Sequence, residues 1–140
     1  MEREGVYAPE TEAEARAAYE DAGPAAKVVV RETVTAMDFD REEYKSRVTG
    51  DVVETARDAL FASLLVVSVG TRDEFDAWCE DHSSYEIHEA GSENVDNVVW
   101  HAAPFAETAV AATYQEEREA AVGTLRRQAF GRIYRSVFEE

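Results

Sequence analysis

The spacing of apolar residues changes near residue 64, and this change constrains the fold more than any other feature of the chain. Before that point, apolar residues recur every three or four positions, as in helices that bury one face. Beyond it, short β-branched runs and strict alternation replace that period, as in strands. The sequence therefore predicts a helical half over about residues 10–64 and a sheet-containing half over about 65–138.

Capping signatures and turn residues divide the helical half. Thr11 followed by Glu14 predicts the start of a first helix, and Gly23-Pro24 is expected to end it. Pro24 then suits the first position of a second helix. The β-branched run at 28–30 would also suit a strand, but the apolar stripe continues to Met37 and favours a helix.

Apolar runs and alternation predict the strands of the second half. These segments are Leu65–Val69, Tyr85–His88, Asn97–Ala102 and Phe105–Tyr114. The last is compatible with helix or strand, and its alternation favours a strand that pairs back across Pro104. A long helix is predicted from about Glu116 to Val137, with Val122, Leu125, Ala129 and Ile133 on one side. The predicted fold is α+β, a single domain over 1–140: N-terminal helices followed by a small, mostly antiparallel sheet backed by a long C-terminal helix.

Composition excludes several classes of partner. The 140 residues include 30 acidic and 14 basic side chains, a formal net charge of −16. Binding to nucleic acid or to an anionic membrane requires exposed positive charge, so both are disfavoured. The longest run without charge, 59–71, is shorter than the ~20 residues that cross a bilayer, and the N-terminus does not resemble a signal peptide. We expect a cytoplasmic protein.

The basic residues are almost all arginine. Twelve are Arg, and only Lys27 and Lys45 are Lys. A densely acidic, lysine-poor surface is tolerable where molar salt screens carboxylate repulsion, because the Debye length falls to ~3 Å at ~1 M salt. This composition predicts a halophilic protein.

One cysteine and three histidines are the candidate metal ligands. Cys79, His82 and His88 lie within ten residues, and His101 is expected on a neighbouring strand. Thiolate and imidazole groups bind transition metals, so a metal-dependent enzyme using these four side chains is one alternative. A partly buried cysteine and surface histidines explain the same residues, and no cofactor is expected.

Two further groups of residues suggest binding to a protein partner or an anion. Trp100, His101 and Phe105 lie in a segment free of charge and would form an aromatic patch, unless they belong to a core strand. Arg126 and Arg127 lie in a helix with a local excess of arginine and offer bidentate anion recognition. The alternative is that these arginines pair with acidic side chains of the same chain.

Another alternative is a DNA-binding regulator that contains a helix-turn-helix. Residues 28–37, a turn at 38–40 capped by Asp40 with Glu43, and Arg41–Val48 have suitable lengths. The second helix carries Glu42 and Glu43 and offers little positive charge to phosphates, so binding to nucleic acid is not favoured.

Three stretches carry a family resemblance. TGDVVETARDALFASL at 49–64, GSENVDNVVWHAAPF at 91–105 and AVGTLRRQAFGRIYR at 121–135 resemble a conserved haloarchaeal protein family of unknown function. The resemblance implies a small acidic cytosolic protein and carries over no catalytic or ligand residue. The leading hypothesis is a non-enzymatic protein-interaction or regulatory module, with a homodimer or another protein as partner.

The composition predicts that folding depends on salt. We expect the melting temperature to fall steeply between about 3 M and about 0.1 M KCl, because unscreened carboxylates repel one another in dilute buffer. Circular dichroism during heating measures this. A melting temperature that is the same in both buffers would contradict the prediction.

Overall fold

The computed structural model describes residues 1–139, and its first part is helical as expected. Helices α1 (Glu12–Ala36), α2 (Arg41–Arg47) and α3 (Gly50–Ser63) fill this part. Two of them begin at the expected caps: the Thr11 hydroxyl accepts a hydrogen bond from the Glu14 amide at 3.1 Å, and the Asp40 carboxylate accepts one from the Glu43 amide at 2.8 Å. The sequence located these starts because a cap needs only local residues.

The expected break at Gly23-Pro24 is wrong. A single helix, α1, runs through both residues for 25 positions. Pro24 lies on the exposed side, where water can satisfy the carbonyl group that lost its backbone donor. Ala22, Ala26, Val30 and Val34 are buried on the opposite side, so packing outweighs the local cost of proline.

The sheet is mixed and has five strands in the order β1-β2-β4-β5-β3. The strands are β1 (Glu2–Glu4), β2 (Val67–Thr71), β3 (Glu86–Ala90), β4 (Asn97–Ala103) and β5 (Thr108–Tyr114). Three neighbouring pairs are antiparallel, and β3 pairs with β5 in parallel. The sequence missed β1, which precedes the helices, so the expected order of helices first and sheet second needs correction. Strand β1 has no apolar alternation and depends on pairing with β2.

The ambiguous segment before residue 114 contains a strand. Residues Pro104–Ala106 form a 3₁₀ turn, and Glu107 adopts a left-handed conformation with φ of 45°. Strand β5 then returns antiparallel to β4, with Ala111 opposite Trp100. The alternation that favoured a strand reflects this pairing.

Helices cover the two faces of the sheet. On one face lies the long C-terminal helix, in which α5 (Arg118–Ala129), a π-helical turn (Phe130–Tyr134) and α6 (Arg135–Phe138) follow without a break. On the other face lies α4 (Arg72–Asp81), which begins with a complete capping box between Thr71 and Glu74. Helix α3 packs beside α5, and α1 packs mainly on α3. Among residues 1–139, each helix is too short or too polar to pass through a bilayer.

Phe61 joins the helical part to the rest of the molecule. Its ring is fully buried and lies within 6.1 Å of five other aromatic rings. These rings belong to Tyr7, Tyr19, Phe130, Tyr134 and Phe138. Edge-to-face aromatic pairs stabilise beyond their buried area, so this cluster fixes α1 and α3 against the C-terminal helix.

Replacing the helical proline should stabilise the protein. We expect Pro24→Ala to raise the free energy of unfolding by about 1–3 kcal/mol, because it restores a backbone donor at an exposed helical site. Urea denaturation in molar KCl measures this. Pro104→Ala is the control, since Pro104 starts a 3₁₀ turn where its ring fits and should give no gain. A Pro24→Ala variant no more stable than wild type would contradict the prediction.

Candidate protein-interaction surface

The aromatic residues expected on the surface are placed mainly in the interior. Trp100 is 1% exposed and packs on Phe75 of α4, with ring centroids 5.1 Å apart. His101 is 3% exposed and faces the C-terminal helix on the other side of the sheet, because successive strand residues point to opposite faces. Phe105 is half-buried against Tyr134. Trp100 and His101 both line a cavity of about 290 Å³ whose lining does not include Phe105, so the three residues form no shared surface patch.

His101 makes two short hydrogen bonds inside the protein. Its Nδ1 lies 2.6 Å from the Val66 carbonyl oxygen, and its Nε2 lies 2.6 Å from the Tyr134 hydroxyl. A carbonyl oxygen can only accept, so Nδ1 carries the proton and Nε2 accepts from the Tyr134 hydroxyl. Burial lowers the pKa of His101, which keeps the ring neutral. This histidine is a connecting element between β4, the start of β2 and the C-terminal helix.

The π-helical turn contributes Tyr134 to this contact. Within it the Arg135 amide donates to the Phe130 carbonyl, five residues back instead of four. Ile133 and Tyr134 are consecutive residues of the π-helical turn, and both are buried. Burial raises the pKa of the Tyr134 hydroxyl. The sequence predicted one uninterrupted α-helix here, because no residue in this stretch marks a π turn.

The two candidate arginines do not form an anion site together. Arg126 is half-buried, and its guanidinium donates to the backbone carbonyls of Leu65 at 2.9 Å and Glu4 at 3.3 Å. Arg127 is exposed, and its guanidinium lies 3.5 Å from the Thr124 hydroxyl on its own helix. Arg118 binds the carboxylates of Glu2 and Glu4, each at 2.8 Å. Two of the helix's arginines therefore tie it to β1, which is the intramolecular pairing that the sequence left open.

The histidines of the alternative metal-site hypothesis are dispersed. The described residues, 1–139, contain no group of three or more His, Cys, Asp or Glu side chains that could share an ion. His82 stacks on Trp78 of α4, whereas His101 faces the opposite side of the sheet. His88 lies on edge strand β3, beside Arg132. The sequence hypothesis grouped them by chain distance, and the sheet separates them.

Helices α1 and α3 enclose an apolar groove with the segment that joins them. Its volume is about 430 Å³, and Thr33, Arg47 and Thr55 are its only polar lining residues within the described chain. The apolar lining includes Val29, Val34, Met37, Phe39, Val48 and Val52. The Arg47 guanidinium covers the Phe39 ring at 5.6 Å and forms part of one wall.

Exposed apolar side chains line part of this groove. Among residues 1–139, seven large hydrophobic side chains are exposed, and three of them belong to the lining of the groove. The three are Val29, Met37 and Val52, with exposures of 41–57%. We call the groove and these three side chains the interaction face. An exposed apolar surface of this kind is typical of protein contact sites.

The second half of α1 explains why the interaction face is open. Val30 and Val34 are buried against α3 but lie outside the main core cluster, so this end of the helix pair extends beyond the sheet. The run of valines at 28–30 surrounds the helix, whereas one buried face would use only some of them. An exposed valine next to a buried one, Val29 beside Val30, is the sequence signal for the interaction face. The run of valines by itself indicates only a choice between helix and strand.

The charge balance of the interaction face differs from that of the rest of the chain. Residues 27–57 contain six basic and seven acidic side chains. The other residues contain eight basic and 23 acidic ones, which is a net charge of −15. The segment that contains the interaction face is thus nearly neutral in a strongly acidic chain, and Arg47 is the charged residue in the lining of the groove.

The buried histidine predicts a dependence of stability on pH. His101 stays neutral when folded and protonates below about pH 6.5 when unfolded, so stability is full above that pH and falls as pH decreases. We expect the wild-type free energy of unfolding to fall faster than that of His101→Gln between about pH 7.5 and about pH 5, by up to about 1.4 kcal/mol per pH unit. Urea denaturation in molar KCl measures both slopes. Equal slopes would refute the assignment.

Comparison with known proteins identifies a family and no characterised relative. No curated protein and no solved structure matches the chain. A family model matches residues 6–135, a range that includes all three stretches on which the resemblance was based. The chain therefore belongs to DUF5809, a family of unknown function.

Proposed function

We propose that this protein is a non-enzymatic protein-interaction module that works through the interaction face. The observation that carries the proposal is the grouping of three exposed apolar side chains, Val29, Met37 and Val52, in the lining of one apolar groove. Apolar surface left in water costs about 25 cal/mol per Å², so a partner that covers this face gains free energy. In a chain that is otherwise acidic, the grouping of exposed apolar side chains at one site favours a surface that a partner covers.

The environments of Cys79, His82 and His101 favour a binding role over a catalytic one. Burial raises the pKa of the Cys79 thiol, with a further contribution from Asp76, and this disfavours the nucleophilic thiolate. The His82 Nδ1 lies 2.7 Å from the Trp78 carbonyl, and both nitrogens of His101 are hydrogen-bonded inside the protein. These groups serve packing and connection.

A cytoplasm at molar salt would suit this role. Salt screens the repulsion between an acidic protein and its partners, and excluded salts strengthen the burial of apolar surface. We infer from the acidic, lysine-poor composition that the module works in such a setting.

Photo-crosslinking from the interaction face tests the proposal. A benzoylphenylalanine at Val52 should form a discrete protein adduct in cell extract kept in molar KCl, because this residue lines the groove and is 41% exposed. The matched control places the same group at Val6, which is 66% exposed and lies outside the interaction face. Adding Val29→Lys to the Val52 variant should abolish the adduct by placing a charge in the groove.

Two results would contradict the proposed function. One is equal labelling from Val52 and Val6, which would mean that exposure alone determines crosslinking. The other is a complete lack of adducts at Val52 in a chain that circular dichroism shows to be folded.

A further inference from the structure

We propose that the partner on the interaction face is a second copy of this chain, which forms a two-fold symmetric dimer; this inference rests on the proposed function. A two-fold interface uses the same patch on both copies, so the patch must offer both protruding and receiving surfaces. The interaction face has both: the exposed side chains of Met37 and Val52 lie at the apolar groove between α1 and α3. A second copy covers the groove and the protruding residues at once.

Charge selects a second copy over a basic partner. A basic protein would be drawn to the part of the surface that carries the net charge of −15, and the nearly neutral interaction face is the weakest site for it. A second copy carries a charge of −16 and is repelled by the acidic parts of the surface. The repulsion is weakest at the interaction face. The charge distribution therefore disfavours other faces for self-association.

Helix α2, which contributes Arg47 to the lining of the groove, carries charges of both signs. Helix α2 has Glu42 and Glu43 in its first turn and Lys45 and Arg47 in its last turn. Groups of both signs on one patch allow each copy to offer the counterpart of what the other presents. A patch of one sign would repel its symmetry mate.

The size of the interaction face indicates a reversible dimer. The last 13 residues of α1 and the 14 of α3 are each about 20 Å long, and packed helices lie about 8–10 Å apart. Two helices of this length and spacing present a face of about 20 Å by about 20 Å, or roughly 400 Å², which is smaller than the ~800 Å² per partner of a standard interface. We expect dissociation in the micromolar range rather than an obligate dimer.

Sedimentation velocity of the purified chain in molar KCl tests the dimer. Between about 1 and about 200 µM, the wild-type mass should rise from 15.6 kDa towards twice that value. Val29→Lys and Val52→Lys should remain monomeric, with dissociation constants at least about tenfold weaker, because each places an ammonium group on the interaction face. Val6→Lys makes the same chemical change outside this face and should dimerise like wild type.

The two proposals fail differently in these experiments. A wild-type chain that stays monomeric throughout overturns the dimer, and so does a dimer that both interaction-face variants leave unchanged. If the chain is monomeric and Val52 crosslinks to a different protein, the inference of self-association is wrong while the interaction role stands. Far-ultraviolet circular dichroism checks that each variant is folded. The replaced valines are exposed, so we expect lysine at these positions to leave the core intact.

Discussion

Tyr134 is where the two parts of the molecule are joined. Its ring packs edge to face on Phe61 of α3, with centroids 5.1 Å apart, and its hydroxyl donates to His101 of β4. Because His101 also donates to the Val66 carbonyl, one buried chain of contacts links helix α3, the C-terminal helix, the central strand and the start of β2. The packing of α3 and the C-terminal helix on the sheet depends on this chain of contacts, and burial with complete hydrogen bonding makes it costly to break.

The same arrangement leaves the interaction face uncovered. The aromatic cluster around Phe61 fixes one end of the α1–α3 pair to the sheet layer. The other end extends beyond the main core, so Val29, Met37 and Val52 have no further layer above them. An apolar surface at the free end of an anchored helix pair can be covered without disturbing the core, which makes it a suitable place for a partner to bind.

Sequence patterns predicted the elements better than the site. The caps at Thr11 and Asp40 were located because each is a local hydrogen-bonding arrangement. The aromatic segment around Trp100 was expected either on the surface or in a core strand, and burial placed it in the core. Alternation reveals that a strand has two faces, but only the position of α4 and α5 decides which residues stay accessible.

By itself the sequence determined the helical first half, the strands from residue 65 onwards, the long C-terminal helix and the acidic character, because period, caps and charge are local properties. Only the tertiary structure decided that α1 continues through Pro24, that β1 joins the sheet and that the histidines separate. It also decided which valines are exposed. The physical reason is common to all four: packing between residues distant in the chain supplies free energies larger than the local preferences that the sequence displays.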